Sequence, residues 1–392
     1  MFFSRRTSWT TEPNPLSRLI AMYKHDGTPF CDLTVSNPTR CGFQYSTQEL
    51  LNPFSDAANL QYDPDPYGLA AAREAIGGYY AARGIAIPAS RIFITSSTSE
   101  AYSFLFRLLF EPGDALMAPQ PSYPLLDYLA AINDVRLDRY RLNPSKRWEI
   151  NLEGHYDMKD VEAKALLTVN PNNPTGNFVH ESELTEINLF CKKRSMAVIA
   201  DEVFLDYPLE DTGKLPVSCV LNRHNLAFTL SGISKVLGLP QMKLSWIVVS
   251  GPDPVAEEAV KRLEIIADTY LSTGTPAQRA LPYWFSRQKT IQQEILQRLQ
   301  KNYRALKEKF GAGGPVRIFP VEGGWHAPLQ LPALHTDEEW ACLLMKNDRV
   351  LTHPGYLFDF PEGTYLVLSL LAPESEFQEG LEKIRKRVSE SA

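Results

Sequence analysis

At 392 residues the chain is long enough for two compact lobes and exceeds what one small core requires. Its formal net charge of -6 is spread without an acidic or basic block, which argues against nucleic acid and means that any phosphate-bearing ligand needs a local positive site. The five cysteines (Cys31, Cys41, Cys191, Cys219, Cys342) show neither CxxC nor His–Cys metal spacing, so no metal site is expected and they read as reduced thiols of a cytoplasmic protein.

No apolar run approaches the ~20 residues of a membrane span. The N-terminal Met1-Phe-Phe-Ser-Arg-Arg is not followed by the apolar core of a signal peptide, so no membrane association is expected. Two loops come first in chain order: Ser36-Asn37-Pro38 and Gln61-Tyr62-Asp-Pro-Asp-Pro-Tyr-Gly68. Seven short aliphatic runs follow, near 92–95, 115–118, 135–141, 165–169, 197–200, 226–230 and 246–249. Helical patterns separate several of them, notably Ser99 to Phe110 and Glu181 to Lys193. This alternation predicts an α/β fold whose large domain holds a mostly parallel seven-stranded sheet flanked by helices.

A long helical region covers about 253–310, with Pro276 and Pro282 as expected interruptions. Next comes Gly311-Ala-Gly-Gly314, which lacks GxGxxG spacing and reads as a plain turn. Beyond it, short strands near 316–319, 326–331 and 365–371 mix with helices at 337–347 and 374–389. That change of pattern predicts a smaller α+β domain.

Four junctions carry chemistry. Thr95-Ser-Ser-Thr-Ser-Glu-Ala101 joins a strand to a helix, so its hydroxyls and N–H groups form an anion site with Thr98 and Ser99 as preferred contacts; a bare N-cap is the alternative. Ala165–Val169 leads into Asn170-Pro-Asn-Asn-Pro-Thr-Gly176, which is also a good turn sequence. Met196–Ala200 ends in Asp201, and an all-apolar strand with a terminal acid delivers a carboxylate to the ligand side of a parallel sheet. A helix cap or structural salt bridge is the plainer reading of that acid. Leu226–Leu230 leads into Ser231-Gly-Ile-Ser-Lys235, setting one amine at the mouth of a buried sheet; its competitor is a solvated loop lysine.

The order Asn-Pro-Thr-Gly, then Asp201, then Ser234-Lys235 resembles the fold-type I pyridoxal-phosphate aminotransferases (class I/II, aspartate aminotransferase-like), over roughly Asp32 to Ala372. The resemblance implies an N-terminal arm, 1–45, returning to the small domain, a large cofactor domain, 46–275, and an interdomain helix with the C-terminal small domain, 276–392. It implies that Lys235 forms the Schiff base with pyridoxal 5'-phosphate and moves the substrate Cα proton, while Asp201 partners the pyridine nitrogen. Asn173 would hydrogen-bond the phenolic oxygen; Thr98, Ser99, Ser234 and Lys243 would hold the phosphate. Tyr123 matches the aromatic that stacks on the ring, and Tyr62 the tyrosine that reaches the neighbouring subunit's phosphate, which requires a homodimer. Ser36 and Asn37 match a loop closing over substrate; Trp325 and His326 fall among pocket-lining residues, with core packing as their alternative.

The chain departs from that pattern at four places. Phe204 replaces a tyrosine donor, with Tyr207 three residues on as a stand-in; Lys243 replaces an arginine, and Ser245 a glycine. Most seriously, Val367 occupies the position of the arginine that clamps the substrate α-carboxylate. Arg40 is the first candidate to replace it, against a solvated loop arginine. The expected function is an aminotransferase moving an amino group between an amino acid or amine donor and a keto acid. The alternatives are a lyase, cyclase or racemase using the same cofactor, and a non-catalytic cofactor-binding regulator.

Overall fold

The computed structural model describes residues 2–152, 163–210, 216–311 and 313–391. Met1, Ala312 and Ala392, which the expected domain limits and glycine turn include, lie outside them. The first strands in chain order are β1 (Cys31–Asp32), β2 (Ile92–Thr95), β3 (Ala115–Gln120), β4 (Arg136–Asn143) and β5 (Glu149–Ile150). Then come β6 (Ala163–Val169), β7 (Ala197–Asp201), β8 (Ala227–Gly232) and β9 (Ser245–Ser250). Strands β2 to β9 form one sheet in the order β2-β9-β8-β7-β6-β3-β4-β5. The five strands from β8 to β4 run parallel, whereas β9 is antiparallel to both its neighbours. The seven expected strands are present, and the two-residue β5 adds an antiparallel edge.

Strand periodicity explains how this sheet is covered. Ala197 and Ile199 of β7, with Phe93 of β2 and Ile247 of β9, face a core shared with helices Thr98–Leu109 and Asp253–Tyr270. Their neighbours Val198 and Ala200 face the opposite side, against helix Glu181–Arg194. Ile94, Trp246 and Val248 face the same side against helices Ala70–Ala81 and Thr275–Ser286. Burial on both faces explains the unbroken aliphatic runs and carries the polar strand ends to one edge.

The 253–310 region is three helices, Asp253–Tyr270, Thr275–Ser286 and Gln288–Phe310. Pro276 opens the second as expected, but Pro282 lies inside it and does not interrupt it. The ring removes one backbone bond, while burial of Leu281 and Trp284 and the Trp284 Nε1 bond to the Leu50 carbonyl (3.2 Å) hold the helix.

The remaining strands are β10 (Arg317–Ile318), β11 (His326–Leu331), β12 (Val350–Leu351), β13 (His353–Pro354) and β14 (Thr364–Ser369). An antiparallel sheet has the order β10-β11-β14-β13. The N-terminal β1 pairs in parallel with β12, and Leu16, Tyr23, Leu33 and Cys41 share a core with Leu344, Leu366, Leu368 and Phe377.

The Asn170–Gly176 loop is pinned from both sides. Gly176 has φ +74, its carbonyl accepts from the Glu322 and Gly323 amides, and a Cβ there would meet Val321 Cγ1 at 2.3 Å. Gly176→Ala is therefore expected to cost about 1–3 kcal/mol through a strained left-handed residue and a clash. A lowered urea midpoint with an unchanged slope is the check.

Candidate active site

The carboxyl ends of the parallel strands open onto a cavity of about 350 Å³. Lys235 enters it from the short helix Ile233–Val236 that follows β8. The Lys235 carbonyl accepts from the Tyr207 hydroxyl at 2.5 Å, the Gly238 carbonyl accepts from Tyr45 at 2.8 Å, and the Val236 carbonyl accepts from Gln292 at 2.9 Å. The turn beneath the amine is thus latched by three side chains. Lys235 Nζ lies 4.7 Å from the Trp325 ring centroid and 5.3 Å from that of Phe204. Loss of water around the amine pushes its pKa down to about 8, partly opposed by the charge of Asp201.

Asp201, the last residue of β7, faces the same cavity. One carboxylate oxygen accepts from the Tyr102 hydroxyl at 2.9 Å and the other from the Val203 amide at 3.2 Å. Burial raises its pKa, while those two donors and Lys235 act in the opposite direction. The next residue, Glu202, turns behind the sheet and accepts from Ser218 Oγ and the Cys219 amide, each at 2.6 Å. Burial pushes its carboxyl up to about 7.

The anion end is the start of helix Thr98–Leu109. Ser97 caps it by accepting from the Glu100 amide at 3.2 Å, and Glu100 is held by the Ser96 amide and Ser272 hydroxyl. Thr98 and Ser99, the first helical residues, line the cavity with Ser234. Their N–H groups have no partner within the helix, and the helix dipole favours an anion beside them. On the far wall, the buried Asn173 side chain keeps an unpartnered oxygen, and Tyr123 stands half-exposed. A donor-rich helix start, a carboxylate at the other end, an amine between them and an adjacent aromatic fit pyridoxal phosphate.

Ser36, Thr98, Ser99, Tyr123, Asn173, Asp201, Ser234 and Lys235 therefore line one cavity. Trp325 is buried beneath Lys235, against Phe204 and Tyr207. Four other expected contacts lie away from it. Asn37 spends its carboxamide oxygen capping the short Pro38–Arg40 turn (3.1 Å to the Thr39 amide), and Arg40 ends that turn exposed to solvent. Arg40 thus stands outside the lining of this cavity in the single chain. Lys243 is exposed in a left-handed conformation (φ 50) that closes the Pro240–Met242 turn. Tyr62 is 76% exposed beside a separate shallow depression with Ser272 and Thr273.

Tyr207 does not take the role of the tyrosine replaced by Phe204, because its hydroxyl is committed to the Lys235 carbonyl. Ser245 is tolerated because Gly232 opposes it: a Cβ on Gly232 would sit 2.2 Å from Ser245 Oγ. Sequence reasoning missed Tyr102, Ser122, Val203, His353 and Phe358, all in the cavity wall. Tyr102 was findable, since it lies one helical turn from Thr98 and so shares its face. His353 carried no such signal.

Comparison with known proteins identifies the family. Residues 46–382 match the aminotransferase class I and II family. A glutamate-pyruvate aminotransferase AlaA of Haemophilus influenzae is 23% identical over 383 residues, covering 96% of this chain and 95% of that protein. An S-alkyl-thiohydroximate lyase of Arabidopsis thaliana is 32% identical over 226 residues, 56% of this chain and 45% of the lyase. Among solved structures, an Escherichia coli aminotransferase superposes with TM-score 0.88 at 22% identity, covering 99% of this chain and 98% of its own. The family match spans most of the chain and its motifs meet in one cavity; the chain belongs to the aminotransferase class I and II family.

Proposed function

We propose that this aminotransferase works with pyridoxal phosphate held between Thr98–Ser99 and Asp201, with Lys235 as its attachment point and proton carrier. The observation that carries the reading is the meeting of Lys235 and Asp201 in one desolvated cavity, the amine pushed down to about 8. When bound, the cofactor supplies an electron-withdrawing ring conjugated to the substrate amine. Asp201, held by Tyr102 and Val203, would partner the ring nitrogen of the cofactor, its two donors favouring the charged form that burial opposes. Lys235 Nζ, its pKa pushed down to about 8, would take the proton from the substrate carbon and return it two bonds away, across the amine nitrogen. Trp325 and Phe204 exclude water under that amine, and Phe204 offers no hydrogen bond where the family has a tyrosine donor.

The exposed Tyr62 supports a homodimer in which this residue serves the partner's site. Shared packing of the N-terminal segment with the C-terminal sheet supports the division into arm (1–45), large domain (46–275) and small domain (276–392). Five unpaired cysteines support a cytoplasmic location. A second reading, a lyase with the same cofactor, is favoured by Val367 in place of the clamp and by the similarity to the Arabidopsis lyase.

Three outcomes are expected. The purified protein should absorb near 400–430 nm until borohydride reduction, and Lys235→Ala should lose this band and at least about 10²-fold of its transamination rate; a variant retaining both refutes the assignment. Labelling of the Lys235 amine in cofactor-free protein, followed by mass spectrometry, should be half-maximal near pH 8 instead of the ordinary 10.5 and rise with pH. Tyr102→Phe removes one donor to Asp201, a loss of about 1.5–3 kcal/mol for a bond to a charged group. That corresponds to about ten- to hundredfold in kcat with KM nearly unchanged.

A further inference from the structure

The wall opposite the cofactor end is built from the small antiparallel sheet. Register places Val367 of β14 opposite Pro328 of β11 and His353 of β13, while His326 of β11 opposes Ser369. Directly paired residues share a sheet face, and so do residues two apart. His326, Val367 and His353 therefore stand on one face, with Leu366 and Leu368 turned to the core behind. Both histidines line the cavity; Val367 is fully buried between them.

Among the described residues, the titratable cations and imidazoles in this wall are Lys235, His326 and His353. The nearby Arg298 is occupied by the carbonyls of Cys41, Leu371 and Ala372 and by Glu374. Burial pushes His326 down to about 3, with His353 and Lys235 adding to the effect, and burial lowers His353 despite the attraction of Asp32. Burial thus favours the neutral form of both rings. The Thr34 backbone lies beside His353 and favours its protonated form slightly, and a neutral imidazole carries one N–H and one lone pair, so the ring can accept as well as donate. His326 Nδ1 is buried without a partner.

A carboxylate entering here meets no countercharge from the small sheet, and it cannot donate to the His353 lone pair. A hydroxyl or carboxamide supplies the missing donor and brings no charge to desolvate. Around the histidines the wall is apolar, with Phe204, Leu357 and Phe358.

We propose that His326 and His353 select an amino donor whose amine-bearing carbon carries an apolar tail and a neutral hydrogen-bonding group, a hydroxymethyl or carboxamide, in place of an α-carboxylate. This rests on the aminotransferase reading above and names its substrate class. His353 acts as the acceptor for that group, and Val367 supplies no charge at the point where a carboxylate would need one.

The test compares L-phenylalaninamide, L-phenylalaninol and L-phenylalanine as donors to the holoenzyme, following loss of the visible band. At least about tenfold higher specificity for each neutral donor is expected; equal or better use of phenylalanine, or no reaction with any of the three, overturns the proposal. Calorimetry with unreactive 3-phenylpropanamide and 3-phenylpropanoate should rank binding the same way, and equal affinities overturn it as well. In His353→Leu the preference should collapse through KM while kcat is kept, whereas His353→Asn should retain part of it. Val367→Arg should shift preference toward phenylalanine. Holoenzyme that shows the band yet prefers the carboxylate overturns this inference alone, whereas protein that never develops the band overturns the reading beneath it.

Discussion

The constraint on which the cavity turns is a carboxylate, Asp201, placed where burial works against its charge. A carboxylate taken from water needs donors or a cation, and here the Tyr102 hydroxyl, the Val203 amide and the facing Lys235 supply them. The same desolvation that threatens the acid makes Lys235 useful, because it brings a proportion of neutral amine within reach of neutral pH. The two shifts come from one low-polarity space and cannot be set independently. Letting water in would return both groups toward ordinary values.

That coupling explains the parallel architecture around it. A parallel strand buried on both faces is apolar along its length and meets the ligand only at its carboxyl end. β7 and β8 are hydrogen-bonded neighbours, and the acid ends one while the lysine follows the other. Their separation is fixed by backbone pairing, so neither side chain depends on a flexible loop for its position. The latches from Tyr207, Tyr45 and Gln292 hold the turn that the sheet does not reach.

Legibility in the sequence followed the same division. The strand ends at Asp201 and Lys235 and the helix start at Thr98 were readable, because hydrophobic period and local capping determine them. Pro282 was misread as an interruption because its cost is local while Leu281 and Trp284 offset it through tertiary burial. Arg40 and Lys243 stand in solvent for a related reason: charge at a sequence position says nothing about whether a short turn carries it toward the cavity or away from it. His353 was invisible, since its relation to Val367 exists only in the register of β13 against β14. Cross-strand neighbours far apart in the chain leave no periodic trace.

The cavity is walled by separate cores. Asp201 ends a strand of the large sheet and Thr98 and Lys235 lie in the helices that follow its strands, whereas His326, His353 and Phe358 stand on or beside the small sheet, whose core also holds the segment leading to Ser36. The two interlock where Phe319 and Tyr365 pack against Trp148, and again where Phe204 packs on Trp325 beneath Lys235. Substitutions on different cores and without shared neighbours act nearly additively. A lineage carrying this fold is therefore free to drift in the shape and polarity of its donor pocket, one tolerated change at a time, while the proton-handling half is inherited intact.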